Sequence, residues 1–263
     1  MNVDPQNLVV RNNEEARRFE VNQVRGVAYA HDGSFLVGWG GTHSTRASVV
    51  VSSEGFARLL DPKTGKTLRE FEGHQGCIFS ASLSPQGTQL ATSGQDNTIR
   101  IWKTRTGAEL RRTAILDDAR LEHGKWLPHS VRAPLAFSPA QKTLAVAMPD
   151  FSVRLWEVPS GKELSRLTGH TDKVLSLAFS KDGRYLVSGG RDATVRVWET
   201  QFGQKMAVHW YGGNTSWIEC VAFSPDYQTV VSGSQDHTVR VFHLPAGRPP
   251  VYYTHLTLPT TSP

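Results

Sequence analysis

Short apolar runs, many of them alternating with polar residues, recur along the chain and are separated by glycine, proline and aspartate. The recurrence around position 180 is the most complete, with apolar runs at 174–180, 185–188 and 194–198 and turn residues between them. Runs of this length, rich in β-branched and aromatic residues, are typical of strands joined by hairpins. No segment has the 3.6-residue apolar period of an amphipathic helix. The pattern therefore predicts short antiparallel strands, the second of which ends before Gly189 and Gly190.

A spacing of six residues between an acidic and an aromatic residue marks each repeat. The pairs are Asp96 and Trp102, Asp150 and Trp156, Asp192 and Trp198, and Asp236 and Phe242, with a weaker copy at Glu54 and Leu60. The second members of these pairs are separated by 42, 54, 42 and 44 residues. A period of this length indicates one supersecondary unit that is repeated and stacked. We therefore expect a single repeat region over residues 22–250.

Two of the repeats resemble the WD-repeat family in its bacterial style. The resemblance rests on the Gly-His pairs at 73–74 and 169–170 and on segments 96–102 and 192–198, and it covers about residues 22–245. It implies an all-β fold, a β-propeller of four-stranded antiparallel blades. About five blades are visible, whereas the family usually closes with seven. We therefore expect an incomplete seven-bladed ring in a truncated chain.

The two ends of the chain depart from the repeat. Residues 1–21 form an N-terminal segment in which 17–20 resemble 69–72, so we expect a strand that closes the last blade, as in the family. Residues 251–263 match no repeat position beyond a fourth strand and resemble a translated sequencing adapter. We expect an artefactual, non-repeat tail there.

The resemblance also implies a buried hydrogen-bond network in each complete repeat. Its members would be His74, Thr92, Asp96 and Trp102 in the second repeat, and His170, Ser188, Asp192 and Trp198 in the fourth. The chemistry is coherent, because an indole N–H needs an acceptor, a hydroxyl both accepts and donates, and a carboxylate only accepts. We expect these residues to stabilise the fold.

Three repeats lack parts of this set. The third has Val146 at the hydroxyl position, the fifth has Gly212 and Gly213 in place of Gly-His and Phe242 in place of Trp, and the first has Glu54 and Leu60. We expect these blades to depend on apolar packing and to open more easily.

No catalytic residue, metal site or cofactor is predicted. His170, Ser188 and Asp192 have the composition of a hydrolytic triad, but geometry defines a triad, and the same set recurs in the second repeat with Thr92 at the hydroxyl position. Residues 38–43 lack the Lys-Ser/Thr of a phosphate-binding loop, so a lengthened hairpin turn is favoured. His123 and His129, in the insertion at 113–132, are too few for a catalytic zinc site.

A partner-binding face follows from the resemblance, formed by residues just after the Gly-His position and in the turn before the third strand. The candidates are Arg25, Phe79, Lys173, Leu175, Trp217 and Glu219, with Gln95, Arg191 and Gln235 in the turns; Cys77 lies beside them. Trp126, in the insertion, has basic neighbours and the composition of an interface anchor. The alternative, that Trp217 and Phe79 fill the central channel, remains open.

Composition and charge narrow the choice of partner. The chain has 29 Lys and Arg against 24 Asp and Glu, a net charge of +5, but the basic residues are scattered. Nucleic acid is therefore disfavoured, and so is a small-molecule ligand. Five arginines at one strand position, residues 58, 100, 154, 196 and 240, are expected to pack their stems on the adjacent repeat with their heads in solvent. No apolar run approaches the roughly 18 residues of a membrane span, and no signal peptide is evident, so a cytoplasmic location is expected.

These features favour a non-catalytic protein–protein interaction scaffold that presents a propeller face to partner proteins. The alternative is the sensor or docking region of a larger multidomain enzyme, such as a bacterial protein kinase or protease, since a fold does not determine a function.

Overall fold

The computed structural model describes residues 24–41, 55–115, 132–139, 142–158, 160–200, 208–244 and 253–257, and for 208–211 and 253–257 the backbone alone. These ranges contain twenty strands in five four-stranded sheets and no helix. Every sheet has its strands in sequence order, and every neighbouring pair is antiparallel. The predicted all-β architecture of four-stranded propeller-type blades is confirmed. Within the described ranges nothing has the length and apolar character of a membrane-spanning helix.

The chain divides into two compact units, residues 1–133 and 134–263. Unit one contains blade one, with strands β1 (Val24–Tyr29), β2 (Leu36–Gly41), β3 (Gly55–Leu60) and β4 (Thr67–Glu70), and blade two, with β5 (Ile78–Leu83), β6 (Gln89–Gly94), β7 (Thr98–Lys103) and β8 (Glu109–Ala114). The core of this unit is the seam between the two blades, where β-branched and aromatic side chains from both sheets are buried.

Unit two contains the other three blades. Blade three has β9 (Leu135–Phe137), β10 (Thr143–Ala147), β11 (Val153–Glu157) and β12 (Glu163–Leu167); blade four has β13 (Val174–Phe179), β14 (Tyr185–Gly190), β15 (Val195–Glu199) and β16 (Val208–Tyr211); blade five has β17 (Ile218–Phe223), β18 (Thr229–Ser234), β19 (Thr238–His243) and β20 (Tyr253–Thr257). Its core again lies at the seams, one between blades three and four and one between blades four and five.

The prediction that the second strand of the fourth repeat ends before its glycines is wrong. Gly189 and Gly190 are the last residues of β14 and pair with β13. A Cβ on Gly189 would lie 2.5 Å from Cγ2 of Ile218, and one on Gly190 would lie 2.7 Å from Asp192 Oδ1 and 2.8 Å from His170 Nδ1. The glycines are needed for close packing within the strand, and they do not interrupt it.

The hairpin turn expected at residues 38–43 is also misplaced. Gly38, Trp39, Gly40 and Gly41 belong to β2 and pair with β3. A Cβ on Gly26 of β1 would lie 2.3 Å from a ring carbon of Trp39, so the indole lies directly over that glycine. Residues 42 and 43 lie outside the described residues.

Candidate functional site

Blades two and four contain the predicted network with closely matching geometry. In blade four, Trp198 Nε1 donates to Ser188 Oγ at 2.8 Å, His170 Nε2 lies 2.7 Å from the same hydroxyl, and His170 Nδ1 lies 2.8 Å from Asp192 Oδ2. This chain of contacts assigns the proton to Nδ1, which donates to the carboxylate, while Nε2 accepts from the hydroxyl.

The equivalent distances in blade two differ by at most 0.1 Å. Trp102 Nε1 donates to Thr92 Oγ1 at 2.8 Å, His74 Nε2 lies 2.8 Å from that hydroxyl, and His74 Nδ1 lies 2.9 Å from Asp96 Oδ1. The structure therefore brings all eight predicted network residues together, four in each blade.

The carboxylate at the end of each network is strongly favoured in its charged form. Burial opposes ionisation of Asp192, but hydrogen bonds from His170, from the Thr171 N–H and from Thr194 hold its pKa well below the ordinary value. The pKa of Asp96 is lowered in the same way, against the opposing effect of burial, by His74 and its neighbours. These carboxylates join the segment before the first strand to the turn before the third strand.

The arginine at the common third-strand position also belongs to this arrangement, contrary to expectation. Arg100 is only 6% exposed, and its guanidinium contacts Asp96 at 3.3 Å and Glu109 at 2.8 Å within its own blade. Ion pairs within one blade recur for the arginines at 58, 154 and 240. For these four arginines the prediction of solvent-exposed heads is wrong, because a carboxylate of the same blade lies within reach of each guanidinium.

Blade five differs from the sequence prediction in one informative position. The Thr215 N–H donates to Asp236 Oδ2 at 2.9 Å, just as Thr171 donates to Asp192, so Asn214 and not Gly213 occupies the histidine position. Ser232 occupies the hydroxyl position and is fully buried, yet neither its Oγ nor the Asn214 amide has a hydrogen-bond partner among the described residues. Thr171 and Asp192 have the same separation in sequence as Thr215 and Asp236, and this match could have aligned Asn214 with His170.

Blades three and five nevertheless keep the carboxylate end of the network. Burial opposes ionisation of Asp236, but hydrogen bonds from Thr238, Thr215 and Ser234 lower its pKa to about 2. Asp150 accepts from Ser152 and contacts Arg154 at 3.3 Å. The expectation that these blades depend on apolar packing alone is therefore too strong.

The networks have no geometry for hydrolysis. The Ser188 hydroxyl is fully buried: its oxygen accepts from the indole N–H of Trp198 and its proton is donated to the imidazole of His170, so it is engaged within the fold. Thr92 is engaged in the same way. Among the described residues no group of three or more His, Cys, Asp and Glu side chains could hold a metal ion.

Four of the predicted partner-binding residues occupy one structural position. The pairing between the first and second strands shifts register by one residue at Arg25, Phe79, Leu175 and Glu219. Such a β-bulge leaves one residue out of the ladder and redirects its side chain. The repeat therefore presents a variable side chain at a fixed point in blades one, two, four and five.

Three predicted turn residues are held beside these bulges by backbone hydrogen bonds. The N–H of Gln95 donates to the carbonyl of Cys77 at 2.8 Å, that of Arg191 to Lys173 at 2.8 Å, and that of Gln235 to Trp217 at 2.9 Å. Blades two, four and five thus each bring a turn residue and the residue before the first strand to the same edge. We call this edge the strand-end patch of each unit.

The strand-end patch of unit two consists of Lys173, Leu175, Arg191, Trp217, Glu219 and Gln235. The guanidinium carbon of Arg191 lies 3.9 Å from the ring centroid of Trp217, a close cation–π contact between blades four and five. Trp217 remains 37% exposed, and Lys173, Glu219 and Gln235 are exposed. Gln235 Nε2 donates to Glu219 Oε1 at 2.7 Å.

The strand-end patch of unit one consists of Arg25, Cys77, Phe79 and Gln95. Arg25 lies 5.8 Å from the ring centroid of Phe79, so a cation and an aromatic ring from adjacent blades meet here too. Gln95 Oε1 accepts from the Cys77 N–H at 3.2 Å, and the Cys77 thiol is buried. The remaining candidate, Trp126, lies outside the described residues.

Comparison with known proteins identifies the repeat. Residues 65–103, 161–199 and 205–243 match the family model described as WD domain, G-beta repeat. Relatives include Autophagy-related protein 16 of Arabidopsis thaliana, 32% identical over 145 residues, Transducin-like enhancer protein 2 of Mus musculus, 32% over 151 residues, and Protein groucho of Drosophila melanogaster, 30% over 151 residues. The matches cover 55%, 57% and 57% of this chain, but 27%, 18% and 19% of those proteins.

Proposed function

Because this chain contains WD repeats, we propose that it is a non-catalytic protein–protein interaction scaffold whose strand-end patches contact partner proteins. The observation that carries this proposal is the Arg191–Trp217 pair, with an aromatic ring 37% exposed and a guanidinium 3.9 Å from its centroid. Tryptophan and arginine are the side chains most enriched among residues that dominate protein interfaces.

The positions of the patch residues support the same function. Arg191 and Gln235 lie in turns fixed by backbone hydrogen bonds, and Leu175 and Glu219 lie at bulges of packed strands. Side chains on such rigid positions lose little conformational freedom when a partner binds, which favours affinity. In blade four the polar network holds the turn that contains Arg191, because Asp192 in that turn is bonded to His170, and this gives the His, Ser and Asp of the repeat a structural role.

Partner contact at the patch can be tested by site-specific photo-crosslinking in the organism's own extract. A photoreactive residue would be placed at Gln235, next to Trp217, and the crosslinked proteins would be identified by mass spectrometry. The matched control carries the probe at Leu110, which is 51% exposed and lies on β8, the fourth strand of blade two, outside both strand-end patches.

We expect defined crosslinked proteins from position 235 and not from position 110. Recovery of the same proteins should fall at least tenfold when Trp217→Ala is combined with the probe, which corresponds to about 1.4 kcal/mol of binding free energy. Equal recovery from both probe positions, or recovery that Trp217→Ala leaves unchanged, contradicts the proposal. A circular dichroism spectrum matching the unsubstituted chain would show that the variants are folded.

A further inference from the structure

Arg191 has a guanidinium without a carboxylate partner among the described residues. Four other arginines form an ion pair within their own blade, those at 58, 100, 154 and 240. Arg191 instead contacts the ring of Trp217, and its buried Nε has no hydrogen-bond acceptor in the described ranges. A guanidinium has five N–H donors in one plane, and contact through the face of that plane leaves donors at its edge available. Arg191 therefore keeps the capacity to bind an anion.

A second cation lies beside Arg191. The Arg191 N–H donates to the carbonyl of Lys173 at 2.8 Å, so the two residues are held next to each other, and the Lys173 side chain is exposed. Asp172 precedes Lys173, but its Oδ1 accepts from the Lys173 backbone N–H at 2.6 Å. No ion pair of the Lys173 ammonium occurs within the part of the chain that the structure describes. Two neighbouring cations without counter-ions favour a ligand that carries an acidic group.

Apolar surface adjoins the two cations. Trp217 is 37% exposed although the Arg191 guanidinium lies over its ring, and Leu175, at the bulge of β13, is half-buried. An acidic residue in a peptide segment can place its carboxylate on the cations and a neighbouring side chain on the indole. A free inorganic anion would use the cations alone, so the patch fits a protein segment better.

The acidic side chain of the patch favours a carboxylate over a phosphate. Glu219 is exposed, and its Oε1 accepts from Gln235 Nε2 at 2.7 Å. A phosphorylated side chain carries a charge of about −1.5 to −2 at pH 7, and an acidic neighbour repels it. A carboxylate carries one negative charge, so Glu219 opposes an Asp or Glu of the partner less strongly.

We propose that the strand-end patch of unit two binds an acidic segment of the partner protein. An Asp or Glu side chain of that segment pairs with Arg191 and Lys173, and an adjacent apolar side chain contacts Trp217. This inference rests on the proposed function and adds the chemistry of the partner. The contact with the indole holds the guanidinium in place, so its donors, which match the two oxygens of a carboxylate, lose little freedom on binding.

Selection from a phage-displayed library of random peptides tests the proposal with the purified chain. Peptides whose binding is weakened by Trp217→Ala are retained, because they contact the patch. We expect each to contain an Asp or Glu beside an apolar residue. Fluorescence anisotropy then measures the affinity of the tightest peptide, made synthetically with a blocked C-terminus, and of a second version in which an amide replaces its acidic side chain.

Arg191→Gln should weaken binding of the acidic peptide at least tenfold, and the amide peptide should lose the same factor. The two changes together should cost little more than either one, since they remove the same ion pair. This non-additivity also separates pairing from misfolding, because an unfolded Arg191→Gln chain would lose the amide peptide as well. Glu219→Gln should strengthen binding of the acidic peptide about threefold, because a repelling charge is removed.

The matched control is Arg184→Gln, which removes an exposed arginine of the same blade that lies near the ring of Tyr185 and outside the patch; it should leave the affinity unchanged. Selected peptides without acidic residues, additive effects of Arg191→Gln and the amide peptide, or failure to select any peptide that depends on Trp217 would each overturn the inference. The photo-crosslinking at position 235 judges the scaffold separately, since it detects partners of any chemistry.

Discussion

At the scale of single residues, Asn214 shows how one replacement changes the interior of a blade. It occupies the position of His170, but its shorter side chain leaves both its amide and the Ser232 hydroxyl without a hydrogen-bond partner among the described residues. Phe242, at the position of Trp198, supplies no N–H to that hydroxyl. An unsatisfied buried polar group costs about 1–3 kcal/mol. Blade five is therefore less stable than its packing alone would suggest.

Restoring the two missing residues should restore the network. We expect the double variant Asn214→His with Phe242→Trp to raise the free energy of unfolding by about 1 kcal/mol more than the sum of the single changes, because the new imidazole and indole share the Ser232 hydroxyl. Urea unfolding of the four chains of this cycle measures the coupling. The same cycle in a Ser232→Ala background should show none, and strict additivity in the native background would refute the prediction.

The low pKa of Asp192 makes its contribution to stability depend on pH. Its folded pKa lies below the unfolded value of 3.8, so the contribution is complete at neutral pH and is lost as the pH falls below that value toward the folded pKa. We expect Asp192→Asn to lower the free energy of unfolding by about 1–3 kcal/mol at pH 7, with the difference shrinking below about pH 4.

Urea unfolding across this pH range checks the prediction for Asp192. Glu72→Gln, at an exposed carboxyl, is the matched control and should change the free energy of unfolding little at any pH. A difference between Asp192→Asn and the unsubstituted chain that is as large at pH 3 as at pH 7 would contradict an electrostatic role.

At the scale of whole blades, the networks should make some sheets open less often than others. In blades two and four the indole, hydroxyl, imidazole and carboxylate form a continuous path across the sheet. Blade three has the apolar Val146 at the hydroxyl position, blade five has the unpartnered Ser232, and in blade one the buried Trp39 Nε1 has no partner among the described residues. Local opening of blades one, three and five therefore breaks fewer buried hydrogen bonds.

Native-state hydrogen exchange measures this difference directly. We expect amides of β7 and β15 to exchange about tenfold more slowly than those of β3, β11 and β19, which corresponds to roughly 1.4 kcal/mol of opening free energy. Ser188→Ala, which removes the central hydroxyl of blade four, should bring β15 to the rate of β11. Equal protection of blades one and four in the unsubstituted chain would show that the networks do not set blade stability.

At the scale of the molecule, the repeat made the fold and the network readable from the sequence. The six-residue spacing between the acidic and the aromatic residue predicts the position of the third strand in each blade, and the Gly-His pairs predict the positions of the histidines. Both patterns consist of particular residue types at fixed separations, so they are visible in the sequence. The bulges at Phe79 and Leu175 could not be read in this way, since an extra residue in one strand leaves no mark in the spacing. The role of Gly189 cannot be read from its own repeat either, because this glycine makes room for Ile218, which comes from the next blade.

Because neighbouring blades pack against each other, a substitution at one seam should destabilise the blades on both sides of it. Ile218 is fully buried at the seam of blades four and five, where it packs with Val195 and Val197. Ile218→Ala should lower the free energy of unfolding by about 2–5 kcal/mol, because the seam loses apolar contact and gains a cavity. In a stacked repeat each unit is stabilised mainly by its neighbours, so faster amide exchange should appear in β15 and β19 together while β3 and β7 keep their native rates.

The exposed Leu68→Ala is the control and should change none of these rates. Acceleration confined to β19, or spread equally over blades one and two, would show that the seam is not the unit of stability.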